Sequence, residues 1–168
     1  REGRVRWYVV TDDDTLLNVP RLLQVLASYD DREPFYVGER YGWSHTRREG
    51  SNYITTGGGM ALSRAALDRL MSCNFCVCPS ADAPDDMTLG HWFKRLGVAA
   101  THEEGFHQAE PHNYHPEILQ HAEVPISFHR FAVRVPANTP QEEVNALRRK
   151  NWRTWSTMFF RVSDRQEL

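Results

Sequence analysis

The sequence has no long apolar run and almost no net charge, and these two absences exclude several classes of protein. None of its apolar stretches approaches the roughly 18 residues that a membrane-spanning helix needs. The 20 Lys and Arg residues are balanced by 22 Asp and Glu, which gives a formal net charge of −2 at pH 7. A chain so close to neutral lacks the basic surface that binds nucleic acid or anionic membranes. We therefore expect no nucleic-acid partner and no membrane span in this chain.

Cysteine is scarce, because Cys73, Cys76 and Cys78 are the only three in the chain. A structural zinc site needs four ligands, and no second Cys or His pair follows at zinc-finger spacing. An odd number of cysteines in a chain that could be secreted fits one disulfide, local or long-range, better than a metal knuckle. The sequence leaves the pairing open.

The common glycine-rich nucleotide motifs are also missing. The run Gly57-Gly58-Gly59 matches neither the P-loop pattern nor the dinucleotide fingerprint G-x-G-x-x-G. Consecutive glycines after a strand still allow the backbone to approach a ligand closely. The run therefore fits a ligand-lining turn and a merely tight turn equally well.

The chain does contain alternating strand and helix patterns in an ordinary globular composition, with 40% hydrophobic and 25% charged residues. Short apolar runs predict strands over 5–10, 35–38, 53–55 and 98–101, the first of them a buried strand. Apolar residues at helical spacing predict helices over 19–29, 65–71, 84–96 and 140–150, with Asn18 capping the first. We expect a loop or exposed hairpin over 39–51 and a histidine-rich loop over 102–129. The alternation indicates an α/β layered domain.

Three consecutive acids, Asp12, Asp13 and Asp14, follow the first predicted strand. Ligands bind at strand ends that face the crevice of an open α/β sheet, and carboxylate oxygens suit Mg²⁺ or Mn²⁺. In a D-x-D spacing, one acid can meet the ion while another orients water or a sugar hydroxyl. Taken alone, however, the triplet fits a solvated acidic turn near a helix N-terminus better than a binding site.

Asp85 and Asp86 follow Pro84 at the start of a predicted helix. Two acids after a proline are common there, because their carboxylates complement the helix dipole. A carboxylate held at this position could also accept a proton from a sugar hydroxyl. From this motif alone, the helix start is the stronger interpretation.

Histidine is concentrated in the predicted loop, where imidazoles could bind Mn²⁺ or Zn²⁺. Six of the eight histidines lie there: His102, His107, His112, His115, His121 and His129. Most of them must be surface or structural residues. The stretch Phe106-His107-Gln108 is the one that combines with the motifs above.

Together, in this order and spacing, these motifs resemble the inverting β-1,3-glycosyltransferases that include the Fringe enzymes. The resemblance rests on "DDDT", "RLLQVLASYD", "YVGER", "TTGGGMALSR", "APDDMTLG" and "GFHQ", and it covers roughly residues 5–130. Within the family, "EPFYVGERYG", "FHQAEP" and "VPISFH" are most similar to members that add glucose to O-linked fucose on thrombospondin type 1 repeats.

The resemblance implies a Rossmann-like α/β layered domain of the GT-A type, incomplete at its N-terminal side, where the family has a uridine-binding half. Residues 1–130 would be the C-terminal part of the catalytic domain. Residues 131–168 would be a divergent tail with a helix near 140–150. The tail ends in Arg165-Gln166-Glu167-Leu168, which resembles a KDEL-type retention signal and implies the lumen of the endoplasmic reticulum.

The resemblance also implies a role for each motif. The catalytic base would be Asp86 or Asp85, with Asp86 preferred; Asp14 and His107 would bind Mn²⁺ or another divalent cation; Asp12, Asp13, Gly57, Gly58 and Gly59 would contact the UDP-sugar donor. The reaction would be a single inverting displacement, in which the 3-OH of fucose attacks UDP-glucose. The alternatives are Fringe-like transfer of N-acetylglucosamine or galactose, and a non-catalytic sugar-binding module that keeps the fold.

Overall fold

The computed structural model describes residues 4–43, 50–121, 123–131 and 133–159, without the side chains of 120, 121, 158 and 159. Its strands are β1 (Trp7–Val10), β2 (Leu16–Leu17), β3 (Tyr36–Gly38), β4 (Arg40–Trp43), β5 (Ser51–Ile54), β6 (Met60–Ser63), β7 (Ala100–His102) and β8 (Ser127–Phe128). Its α-helices are α1 (Val19–Leu26), α2 (Arg64–Met71), α3 (Asp85–Arg95), α4 (Pro116–His121) and α5 (Gln141–Phe159), and a 3₁₀ turn spans Pro111–Asn113.

A four-stranded mixed sheet in the order β1-β6-β3-β7 forms the centre of the fold. Strand β6 is antiparallel to both of its neighbours, whereas β3 and β7 are parallel. Two short antiparallel pairs, β2 with β8 and β4 with β5, lie outside this sheet. The β4–β5 pair is the hairpin expected over 39–51, although residues 44–49 between the two strands lie outside the described range.

The central strands β3 and β6 are buried on both faces, because successive side chains along a strand point to opposite sides. Tyr36 and Leu62 share one core cluster with Phe93 of α3. Val37, which follows Tyr36 in β3, and Ala61, which precedes Leu62 in β6, belong to a second cluster. The other members of this buried cluster are Leu22, Leu26, Phe106 and Ile126. Helix α1 therefore packs on one face while α2 and α3 pack on the other, which confirms a layered α/β arrangement around a mixed sheet. The finer assignment to a Rossmann-like GT-A type and the domain division at residue 130 stay predictions.

Helix starts were well predicted by local signals. Helix α1 begins as expected after Asn18, whose side chain accepts a hydrogen bond from the Arg21 N–H at 3.2 Å. Helix α3 begins at Asp85, and Gly97 follows its end with a φ of 70°. Helix α5 continues to Phe159, beyond the predicted end at 150, because Trp152 and Trp155 pack edge-on against Phe131.

The sequence patterns did not predict β2, β6 or β8, and they overstated the burial of β1. Strand β6 lies between the glycines and the helix predicted over 65–71. Its four residues are all buried, so they show neither helical nor alternating periodicity. Strand β1 is not a fully buried strand, since Val9 is 39% and Val10 is 43% exposed. The reason is its position, because β1 is the last strand at one end of the described sheet.

Of the local and long-range pairings that the sequence left open, the structure has a local disulfide, which joins Cys73 to Cys76 and leaves Cys78 exposed. Among the described helices, none combines the length and apolar character needed to cross a membrane. The terminal stretch Arg165-Gln166-Glu167-Leu168 lies outside the described residues, so its predicted role as a retention signal stays a prediction.

Candidate active site

The acidic triplet forms a tight turn directly after β1. The Thr15 N–H donates to the Asp12 carbonyl at 3.2 Å, and the Thr15 hydroxyl donates to the Gly57 carbonyl at 2.9 Å. Asp13 is exposed at this turn, whereas Asp12 and Asp14 are half-buried. The turn is therefore tied to the glycine run, and its first and third acids lie against the protein.

The pairing of β2 with β8 brings a histidine to this turn. Leu16 lies opposite Phe128 in antiparallel register, and the Phe131 N–H donates to the Asp14 carbonyl at 2.7 Å. His129 lies between these two contacts and so comes to lie beside the acids. Arg130 follows with a φ of 63°, a left-handed conformation that is uncommon for a residue other than glycine. The chain thus bends directly after the histidine.

Asp12, Asp14 and His129 form a group that fits a divalent cation. The Nε2 atom of His129 lies 3.0 Å from Oδ1 of Asp14 and 3.3 Å from Oδ2 of Asp12. One ligand atom from each residue lies within 4.8 Å of the others. Neighbouring ligands of an octahedral ion with bonds near 2.1 Å are about 3.0 Å apart, so the spacing suits one ion. Two carboxylate oxygens and an imidazole nitrogen suit Mn²⁺ and similar metals.

The charge around the turn favours a bound cation. Burial raises the pKa of the Asp12 carboxyl; His129 lowers it, while the carboxylates of Asp14, Asp85 and Asp13 raise it. Several like charges thus face one another in a partly buried place. A divalent cation would relieve this repulsion, whereas a fully solvated acidic turn would need no cation.

The glycine run seats the residues behind this group. A Cβ atom at Gly57 would overlap the imidazole ring of His129, and a Cβ at Gly58 would lie 3.1 Å from the backbone nitrogen of Gln108. The Gly58 N–H donates to Oε1 of Gln108 at 2.7 Å, and its carbonyl accepts from the hydroxyl of Ser127. Gly59 has a φ of 89°. These contacts support the tight-turn interpretation, and contact of the three glycines with a donor sugar stays a prediction.

His107 does not belong to the acidic group. Its buried ring stacks on Phe128 at 4.5 Å and lies 4.8 Å from Tyr114. Burial, with a smaller contribution from His102, lowers the pKa of His107 to about 4. Its Nε2 has no hydrogen-bond partner among the described residues. The His107 carbonyl accepts a hydrogen bond from the His129 N–H at 3.0 Å. The resemblance implied His107 as the metal ligand, and the structure instead places its neighbour His129 beside the acids.

Asp85 and Asp86 lie in the first turn of α3, and each accepts a hydrogen bond from the backbone N–H of the next residue. Oδ1 of Asp85 accepts the Asp86 N–H at 2.8 Å, and Oδ1 of Asp86 accepts the Met87 N–H at 2.7 Å. Asp85 is exposed and Asp86 is half-buried. Burial raises the pKa of Asp86; the Met87 N–H lowers it, and the carboxylates of Asp85 and Asp12 raise it. The helix start therefore lies within electrostatic reach of the acidic turn.

Close packing of α3 on β5 holds Asp86 in this position. A Cβ atom at Gly90 would overlap Tyr53, so the absence of a side chain lets the helix approach the strand. Burial raises the pKa of the Tyr53 hydroxyl, and the charge of Asp86 raises it further. Tyr53 is thus a neighbour of the candidate base that sequence patterns did not indicate.

Sequence reasoning gave no individual role to His129, Gln108 or Thr15. The one available signal for His129 was the stretch "VPISFH", a short apolar run that ends in a potential ligand, as "WYVV" ends before the acids. Nothing in either run shows that the two strand ends meet.

Comparison with known proteins defines the class of this protein. The family model described as Fringe-like matches residues 1–147, so the chain belongs to this family of glycosyltransferases. This match confirms the family that the motifs predicted.

Two relatives carry a more specific name. The beta-1,3-glucosyltransferase of Homo sapiens is 48% identical over 129 residues, which cover 77% of this chain and 25% of the relative. That of Mus musculus is 46% identical over 128 residues, or 76% of this chain and 26% of the relative. The chain therefore spans about a quarter of the length of the curated relatives that it matches.

Proposed function

We propose that the protein carrying this chain is a metal-dependent, inverting β-1,3-glucosyltransferase. It would transfer glucose from UDP-glucose to the 3-OH of O-linked fucose on thrombospondin type 1 repeats. The observation that carries this proposal is the meeting of Asp12, Asp14 and His129 within electrostatic reach of Asp86. The names of the human and mouse relatives support glucose as the sugar transferred. Membership of the Fringe-like family supports a UDP-sugar donor and a Rossmann-like GT-A type of domain.

Asp86 would be the general base. Its carboxylate would accept the proton of the fucose 3-OH while that oxygen bonds to the anomeric carbon of the donor. The bond from the anomeric carbon to the diphosphate breaks on the opposite face, the diphosphate oxygen keeps the electron pair, and the configuration inverts. Partial burial supports Asp86 over the exposed Asp85, because a raised pKa makes a carboxylate a stronger base.

Asp12, Asp14 and His129 would hold the divalent cation, for which Mn²⁺ is the first candidate. A bound cation supplies electrostatic stabilisation of the negative charge that develops on the leaving diphosphate. Exposed Asp13 would contact the ribose or the sugar of the donor. The Gly57–Gly59 turn would define the wall behind the metal ligands.

The proposed place of action is the lumen of the endoplasmic reticulum. The disulfide between Cys73 and Cys76 supports an oxidising compartment, since disulfides are rare in the cytosol. Arg165-Gln166-Glu167-Leu168 would act as the retention signal. Deletion of these four residues should send the protein into the medium of expressing cells, and retention of the deleted form would contradict the assignment.

The function is tested by measuring UDP release and sugar transfer with the intact protein. The donors are UDP-glucose, UDP-galactose and UDP-N-acetylglucosamine, each with Mn²⁺ or with EDTA, and the acceptor is an O-fucosylated thrombospondin type 1 repeat. We expect transfer of glucose with Mn²⁺ and none with EDTA. Preference for either other donor would establish the Fringe-like alternative. Sugar binding without turnover of any donor would leave the non-catalytic module.

A further inference from the structure

Gln108 contacts the same nitrogen of His129 through two atoms of opposite character. Its main-chain carbonyl oxygen lies 3.1 Å from Nδ1 of His129, and its side-chain Nε2 lies 3.2 Å from that same Nδ1. The first atom can only accept a hydrogen bond, and the second can only donate one. A neutral imidazole nitrogen satisfies one of them at a time.

The orientation of the Gln108 amide is fixed by its other partner. Its Oε1 lies 2.7 Å from the backbone nitrogen of Gly58, which can only donate. The oxygen must therefore face Gly58, and Nε2 must face His129. The Gln108 backbone N–H donates in turn to the carboxylate of Glu39, which fixes the main chain at this point. Both contacts to Nδ1 thus come from atoms held in place.

Each contact belongs to a different tautomer of His129. With the proton on Nδ1, the ring donates to the Gln108 carbonyl, and the lone pair of Nε2 faces the carboxylates of Asp12 and Asp14. That arrangement is repulsive unless a cation lies between them. With the proton on Nε2, the ring donates to the two carboxylates, and Nδ1 accepts from the Gln108 amide. The second arrangement pairs both carboxylates and the Gln108 amide without a metal, and only the Gln108 carbonyl loses its donor from the ring.

We propose that Gln108 is a positioning residue that holds His129 in either tautomer, so that the ring can donate to Asp12 and Asp14 without metal and ligate a divalent cation when one binds. The inference rests on the metal site of the proposed function. On binding, the proton of Nε2 leaves to water and another is taken up on Nδ1. Because one proton leaves the ring and another joins it, the exchange of tautomers releases no net proton.

The tautomers are distinguished by the ¹⁵N chemical shifts of His129, recorded at pH 8 on intact protein labelled with [¹⁵N]histidine. The His129→Asn variant assigns the signals. Without metal we expect the proton on Nε2, and with diamagnetic Zn²⁺ we expect it on Nδ1 with Nε2 bound to the ion. A metal-free ring that carries its proton on Nδ1, or on both nitrogens, would overturn the proposal.

The Gln108→Glu variant isolates the role of the amide. A carboxylate at this position still accepts from Gly58 but offers His129 an acceptor in place of the donor. We expect the metal-free tautomer ratio to move toward Nδ1–H by roughly tenfold, the effect of losing one hydrogen bond. Gln141→Glu, an equal change of charge at an exposed position of α5, should leave the ratio unchanged. An unchanged ratio in Gln108→Glu contradicts the inference.

Calorimetry of Mn²⁺ binding to the unaltered protein gives a second measurement that needs no variant at this position. Titrations at pH 8 in buffers of different ionisation enthalpy count the protons released. We expect a number near zero, whereas one proton per ion would indicate an imidazolium and refute tautomer exchange. If Zn²⁺ and Mn²⁺ bind without altering the His129 signals, the metal site of the proposed function fails, while the metal-free tautomer still tests Gln108 separately.

Discussion

The burial of His107 makes a quantitative prediction about stability in acid. In the folded protein its pKa is about 4, against an ordinary value of 6.5. Because the unfolded chain binds this proton more readily, the contribution of His107 is complete above pH 6.5 and is lost as the pH falls through 6.5 toward 4. At 1.36 kcal/mol per pH unit, the full loss is about 3 kcal/mol, and about 2 kcal/mol of it is reached by pH 5.

The perturbation is His107→Leu, which removes the titrating group at similar volume. Urea unfolding is measured between pH 7.5 and pH 4 in EDTA, so that metal binding does not contribute. The quantity of interest is the difference between the two profiles, because carboxylates titrate in both proteins. We expect the unaltered protein to lose about 3 kcal/mol more than the variant across this range. The exposed His91, replaced in the same way, is the matched control and should change this difference little.

Two results would refute the reasoning. Parallel pH profiles for the unaltered protein and His107→Leu would mean that the ring of His107 is not buried in its neutral form. A loss of Mn²⁺ affinity in His107→Leu as large as the loss in His129→Asn would mean that His107 ligates the ion, as the resemblance implied. The second result would favour the resemblance over the geometry described here.

The remaining predictions concern the metal, the base and the glycine turn. His129→Asn should weaken Mn²⁺ binding by on the order of 100-fold in calorimetry, while His107→Asn should weaken it less than tenfold. Asp86→Asn should lower kcat by roughly 10²- to 10⁴-fold with little change in KM for UDP-glucose, and Asp85→Asn should stay within a few fold; the reverse order would make Asp85 the base. Transfer should fall on acidification with a midpoint above 3.8, the ordinary value for an aspartate, because burial raises the pKa of Asp86 and the base must be ionised; a midpoint at or below 3.8 would count against it. Gly57→Ala should weaken Mn²⁺ binding because a Cβ atom would displace the ring of His129, and unchanged affinity would show that the ring has room to move.

The parts of the fold that were predicted correctly depend on local chemistry. Asn18 caps α1 and Asp85 opens α3 through hydrogen bonds to residues at most three positions away, so the signal and its partner lie in one stretch of sequence. The acids after β1 were recognised for the same reason, because a run of apolar residues that ends in charge is visible without knowledge of the fold. Local signals of this kind place helix ends and strand ends but not the pairs that they form.

The parts that were missed depend on contacts between distant segments. Strand β6 lies between β1 and β3 in the sheet, both of its faces are covered by side chains from distant segments, and its sequence carries no period of its own. His129 reaches the acids only because β8 pairs with β2 in one particular register. A shift of that register by one residue would turn His129 to the other face and replace it with a neighbour. No property of the isolated stretch "VPISFH" specifies this register.

Hydrogen bonds around Asp12, Asp14 and His129 support this register. The Ser127 hydroxyl of β8 donates to the Gly58 carbonyl, and the hydroxyl of Thr15, the residue before β2, donates to the Gly57 carbonyl. Both ends of the β2–β8 pair are thereby tied to the glycine turn. The turn in turn leaves a space for the ring of His129 that any side chain at Gly57 would fill. The same few contacts therefore align the strands and shape the site. In this arrangement an error in strand pairing would also separate His129 from Asp12 and Asp14, so the proposed cation site depends on the register of β2 and β8.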